Sequence, residues 1–130
     1  MENEFNNILE AICERDTRYK VDAYEFVMEA LSFTQKKFRR SKHVIGQELL
    51  EGMKELLLQK FGPLTMTVLE HWGIHSTEDF GNIVFNLVEN RVLSKTEEDS
   101  LDHFRNIYDF DAVFNHGYRK ELEKKISRLR

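Results

Sequence analysis

Residues 72–90 read WGIHSTEDFGNIVFNLVEN, and this stretch decides the fold. Gly73 breaks one helix, as a glycine just past a last turn does. Ser76, with Asp79 three residues on, has the pattern of a capping box that opens the next. Beyond it the apolar residues Phe80, Ile83, Val84, Leu87 and Val88 recur at helical spacing. The spacing predicts a helix over about 77–90. Its outward positions are then Glu78, Asp79, Asn82, Asn86, Glu89 and Asn90.

Working back from that helix, Leu64, Val68, Leu69 and Trp72 mark a short helix over about 63–72. Gly62-Pro63 separates it from a helix over 46–60, since glycine suits a helix stop and proline a first turn. In that helix Leu49, Leu50, Met53, Leu56 and Leu57 face inward. Residues 21–38 repeat the pattern with a broad stripe from Val21 to Phe33, and residues 5–14 carry Phe5, Ile8, Leu9 and Ile12. Working forward, two readings compete for 92–107. One pairs two short extended pieces across the polar turn 96–100 as a hairpin. The other has Thr96 cap a helix through Asp99 that covers Leu101 and Phe104. Asp109 is placed to cap a short helix holding Phe110 and Phe114. Residues 117–130 form a charged helix with Tyr118, Leu122, Ile126 and Leu129 at helical spacing.

The expectation is a mainly α protein. Residues 1–116 form a single compact helical domain of five to six helices, and 117–130 a charged helix packed on it or extending from it. A winged-helix-like β-hairpin at about 92–107 would give the order of a winged helix-turn-helix, with 77–90 in the recognition position. The 130 residues suit one domain. With 41% hydrophobic residues, ten Phe and one Pro, they supply a core and exclude a disordered chain.

Several function classes drop out. Cys13 is the sole cysteine, so neither an internal disulfide nor a cysteine zinc cage is available. It reads as a half-buried small apolar residue. The N-terminus is acidic and no apolar run exceeds three residues, which points to a cytoplasmic protein and no membrane partner. There is no phosphate loop, nucleophile elbow or dinucleotide fingerprint, so neither a cofactor nor a catalytic residue is assigned. His71 and His75 stand four apart, but Gly73 between them ends the helix that a metal pair needs, and no metal site is assigned.

Charge is segregated. Lys36, Lys37, Arg39, Arg40 and Lys42 form one basic run without an acid, and residues 119–130 carry a net +4. The rest of the chain is strongly acidic, for a total of −4. Two basic segments on an acidic body suit RNA, the ribosome or an acidic partner, with salt-sensitive binding. The outward face of 77–90 is a poor fit to DNA, because phosphates repel Glu78, Asp79 and Glu89. Sequence-specific DNA binding is therefore disfavoured. A solvated face, or one for protein contacts, suits Asn82, Asn86 and Glu89 better. Asp16, Arg18, Tyr19 and Tyr24 crowd a polar-aromatic cluster at the start of the second helix. It is either a structural knot or a small-anion or enzymatic site.

Several segments together carry a family likeness. They are Arg15-Asp16 with Arg18-Tyr19, Ala23 to Val27, Gly46 to Gly52, Phe61 to Leu64, Trp72-Gly73-Ile74, Thr77 to Val88, Lys95 to Ser100 and Tyr108-Asp109-Phe110. The set resembles a small bacterial family that recurs in Planctomycetes, Verrucomicrobia and deltaproteobacterial lineages, over about residues 5–114. The resemblance implies a compact bacterial domain and carries no activity with it. Asp16, Arg18, Tyr24, Glu48 and Asp99 are the motif residues that packing explains least. The reading that results is a non-enzymatic, adaptor-type module with a protein partner. A nucleic-acid or ribosome binder using 36–42 and 119–130 is the alternative, and a site near Asp16, Arg18 and Tyr19 comes third.

Overall fold

Six α-helices account for most of residues 2–40, 44–93 and 101–128, which the computed structural model describes. They are α1 (Glu2–Arg15), α2 (Val21–Lys37), α3 (Gly46–Phe61), α4 (Thr65–Trp72), α5 (Thr77–Glu89) and α6 (Tyr118–Arg128). A 3-10 turn, Gly62–Leu64, links α3 to α4, with Pro63 inside it. A second 3-10 turn spans Leu101–Phe104, and a π-helical segment, Asp111–Gly117, leads into α6. Asp109 caps that segment as its position predicts, its carboxylate accepting the Ala112 N–H at 2.9 Å.

The helices form where the apolar stripes lie, and the stripes meet in one core. Leu49, Leu50, Met53, Leu56 and Leu57 of α3 are all buried against Ala23, Tyr24, Phe26, Val27 and Ala30 of α2. Phe80, Ile83 and Leu87 bring α5 into the same core, and Leu69 and Trp72 bring α4. The α2–α3 contact is the most extensive, and a glycine makes it possible. A Cβ on Gly52 would lie 1.9 Å from the Thr34 Oγ1. That hydroxyl is itself turned back to the Ala30 carbonyl at 2.7 Å.

The chain after α5 returns to this core through aromatic residues. Phe104 sits across Gly46 and Gly81, where a Cβ on Gly81 would come within 2.7 Å of the Phe104 Cβ. Phe110 packs with its ring tilted, centroids 6.0 Å from Phe80 and 5.4 Å from Phe114. The Tyr108 hydroxyl donates to the Leu50 carbonyl at 2.8 Å.

Two expectations need correction. No β-strand occurs among the described residues, so the winged-helix hairpin is not formed there. Its second arm is instead a 3-10 turn that drops Phe104 into the glycine seat. A single buried aromatic needs a coil of backbone, not an alternating extended run. The rival helix that Thr96 caps through Asp99 has its capping residues outside the described ones, and the stretch it would cover, Leu101–Phe104, is that 3-10 turn. The short helix expected over about 63–72 begins at Thr65, and Leu64, in the 3-10 turn before it, is 62% exposed. The charged helix does form, and Leu122 and Ile126 on it are 44% and 47% exposed.

Candidate functional site

The cluster around Asp16 comes together as a polar clasp between the α1–α2 turn and α5. Gly73 sets its position. It ends α4 at φ +85° with its Cα against the backbone of residues 18–19, and the Lys20 N–H donates to the Trp72 carbonyl at 3.2 Å. The turn is thereby held over α5. Arg18 donates to both oxygens of Asp16, at 2.9 and 2.7 Å. The Asn86 amide donates to Asp16 at 2.9 Å and to the Tyr24 hydroxyl at 3.0 Å. The Tyr19 hydroxyl donates to Asp79 at 2.5 Å and accepts from Asn82 at 3.0 Å. Asp79 also accepts the N–H groups of His75 and Ser76, at 2.7 and 3.2 Å, which is its half of the expected capping box. Arg15 closes the far end on Asn90 at 2.6 Å.

This corrects the outward reading of α5. Asp79, Asn82, Asn86 and Asn90 form one stripe, but it faces the α1–α2 turn, where buried tyrosine hydroxyls and a carboxylate need partners. Glu78 and Glu89 are the exposed positions, and Glu78 pairs with Arg105 at 3.2 Å.

The electrostatics follow from the contacts. Arg18 above all, helped by Asn86, holds the Asp16 carboxyl well below the usual carboxylate range. Burial and the bond to Asp79 push the Tyr19 phenol up, and burial pushes up Tyr24. Both phenols stay protonated, and Asp16 stays ionised. Asp16, Tyr19, Tyr24, Asp79, Asn82 and Asn86 are hydrogen-bonded to one another, while the Arg18 side chain stays 58% exposed. Burial, with Asp16 nearby, likewise raises the Cys13 thiol and disfavours its thiolate form.

The first basic segment is partly neutralised by α3. Arg40 meets Glu48 at 3.0 Å, and Lys37 pairs with Glu55. Glu48 also accepts the Ile45 N–H at 3.1 Å, which with Arg40 lowers its carboxyl. Lys36 and Arg39 are exposed, and Lys42 lies outside the described residues, as does Asp99. The second basic segment is α6, whose described side chains are all exposed.

A feature that the sequence reading missed lies on the other face of α2. A cleft of about 570 Å³ opens between α2 and the α3–α4 corner. Phe26, Phe61, Val68 and Trp72 supply its apolar wall, with Trp72 5.3 Å from Phe26 and edge-on to Phe61 at 5.7 Å. Asp22, Glu25 and Glu29 line the α2 rim, all exposed. Lys60 reaches across to Glu29 at 2.6 Å. The signal was present: these acids stand at i, i+3 and i+7, one stripe of a helix.

Comparison with family models, curated proteins and solved structures gives no match. The geometry therefore carries the functional reading. Its class is a mainly helical protein with a hydrogen-bonded polar clasp on one side and an acid-rimmed aromatic cleft on another. Among the described residues no helix is long and apolar enough to cross a membrane.

Proposed function

We propose that this chain is a non-enzymatic interaction module that receives a basic amphipathic helix in the α2/α4 cleft. The observation that carries the reading is the cleft's composition. Its aromatic wall takes apolar side chains, and Asp22, Glu25 and Glu29 take the cations that flank them. Such charges set orientation and encounter rate, while the half-buried Phe61 and Val68 offer the apolar contact, Phe26 and Trp72 being already buried behind them. The clasp contributes by fixing the start of α2, the helix that carries the rim.

The test uses Trp72, the only tryptophan in the chain, which lines the cleft. A synthetic amphipathic peptide of Leu and Lys is titrated while Trp72 emission is followed. Saturable change that weakens with salt is expected, and Glu25→Lys with Glu29→Lys should abolish it. Titration without saturation, or binding unaltered in that double variant, would refute the reading.

Nucleic-acid binding through 36–42 and 119–130 is the second reading. Arg39 and the exposed cations of α6 favour it, and the pairing of Lys37 and Arg40 to α3 carboxylates weighs against it.

A further inference from the structure

We infer that the helix received by the cleft is α6 of a second copy of this chain, so that two copies associate by exchanging their basic helices. The inference rests on the interaction-module reading and names its partner.

Three observations meet here. First, the described side chains of α6 are all exposed. Leu122 and Ile126 stand one turn apart and are 44% and 47% exposed, and the helix has eleven residues. A helix of that length is marginal in water by itself and gains its stability from packing an apolar face. Second, the charges are complementary. Arg119 flanks the apolar stripe of α6 on one side and Lys125 on the other, and with Glu121 and Glu123 counted the helix carries five cations against two acids. The cleft offers a stripe of three exposed carboxylates beside an aromatic wall, with Lys60 on Glu29 as the one lysine among its lining residues. Third, the root of α6 is near the cleft. The π-helical segment before it packs against α4 and the Gly62–Leu64 turn. Phe61, Val68 and Trp72, which bracket that turn and α4, are cleft residues. A neighbour docking its α6 in the cleft thus brings its own cleft toward the first copy's α6. Reciprocal use of both pairs closes the assembly at two copies.

The experiment is sedimentation velocity on the full chain over a range of concentrations and salt, with two variants. One carries Leu122→Asp and Ile126→Asp on α6. The other carries Glu25→Lys and Glu29→Lys on the cleft rim. All four positions are exposed, so circular dichroism should show both variants folded. Wild type is expected to approach twice the 15.5 kDa chain mass and to dissociate as salt rises. Each variant alone should raise the dissociation constant about tenfold or more. An equimolar mixture of the two variants should regain a weaker dimer, because one intact helix then meets one intact cleft. A wild type that stays monomeric, or a dimer indifferent to both variants, overturns the inference. So does a mixture that stays as weak as its components. Wild type that is monomeric yet still binds the Leu/Lys peptide at Trp72 leaves the module reading standing and removes only the second copy. Loss of both signals removes both. A monomer that uses Leu122 and Ile126 to bind anionic vesicles, or its α6 cations to bind RNA, also overturns it.

Discussion

Replacing Gly73 tests how the clasp is held. The residue ends α4 in the left-handed region, at φ +85°, with its N–H on the Glu70 carbonyl. A Cβ there would stand 2.1 Å from the Arg18 carbonyl oxygen, a backbone atom with no rotamer to escape by. Two costs therefore add in Gly73→Ala. The left-handed conformation costs an alanine roughly 1–2 kcal/mol. Relieving the contact costs about 1–3 kcal/mol, as overpacking in a tight site does. The sum is about 2–5 kcal/mol, or roughly thirtyfold to several-thousandfold in the folding equilibrium. Gly73→Asn separates the two parts. Asparagine visits the left-handed region readily but still carries a Cβ. It should lose only the contact part, about 1–3 kcal/mol. Urea unfolding followed by far-ultraviolet circular dichroism gives both values, with the slope showing whether the transition stays two-state. Gly73→Ala within about 0.5 kcal/mol of wild type would refute the seating of Arg18 on this glycine, since that is the scatter of surface substitutions. Gly73→Asn as stable as wild type would leave the backbone conformation as the whole effect.

Other perturbations report on the same packing. Asp16→Asn should cost about 1.5–3 kcal/mol at neutral pH, for the loss of charged hydrogen bonds from Arg18 and Asn86. Because folding depresses the Asp16 pKa, its contribution is present above the ordinary carboxylate range and is lost as the pH falls. The gap between the two proteins should stay constant above about pH 5 and narrow below about pH 4, in denaturant titrations; a gap independent of pH would contradict the clasp. Asn86→Leu strands the fully buried Tyr24 hydroxyl and should cost about 1–3 kcal/mol. Asn86→Asp should cost more at neutral pH, by bringing a second carboxylate to Asp16, and thermal melts at two pH values would check that order. Gly52→Ala should destabilise by about 1–3 kcal/mol through its contact with Thr34, and Thr34→Ala should recover part of that loss, so a double-mutant cycle that is strictly additive would deny the contact.

The helices were legible because their stripes are long and regular. Val21 to Phe33 and Leu49 to Leu57 carry enough apolar repeats to fix both the element and its buried face. Gly73, Gly62-Pro63 and Asp109 marked boundaries by local chemistry alone. The segment after Asn90 was not legible in the same way. Phe104 is one aromatic filling one seat, and the seat is made by Gly46 and Gly81, both distant in sequence. The clasp was half legible. Asp16, Arg18 and Tyr24 stood out as polar groups that packing does not explain. Asn82 and Asn86 read as outward because amides usually face water. Their partners lie 62 to 70 residues away, beyond what helical periodicity reports. The cleft is a concavity between three helices, which no single stretch encodes, although its acidic stripe was visible.

The segregated charge gains a geometric meaning once the elements are placed. The two basic segments differ in kind. The run after α2 is tied to α3 by Arg40–Glu48 and the Lys37–Glu55 pair, so part of its charge is offset within the chain. The cations of α6 flank an exposed apolar stripe. The acids divide likewise. Asp16 and Asp79 are consumed by the clasp and Glu29 is paired with Lys60, whereas Asp22 and Glu25 remain exposed on the cleft rim. What is left over on the two sides is thus a basic amphipathic helix and an acidic aromatic cleft within one sequence. Self-complementary surfaces of this sort either close on themselves or propagate into filaments. The segment that leads into α6 packs against α4 and the Gly62–Leu64 turn, which border the cleft, and that placement is the ground on which closure at two copies is inferred.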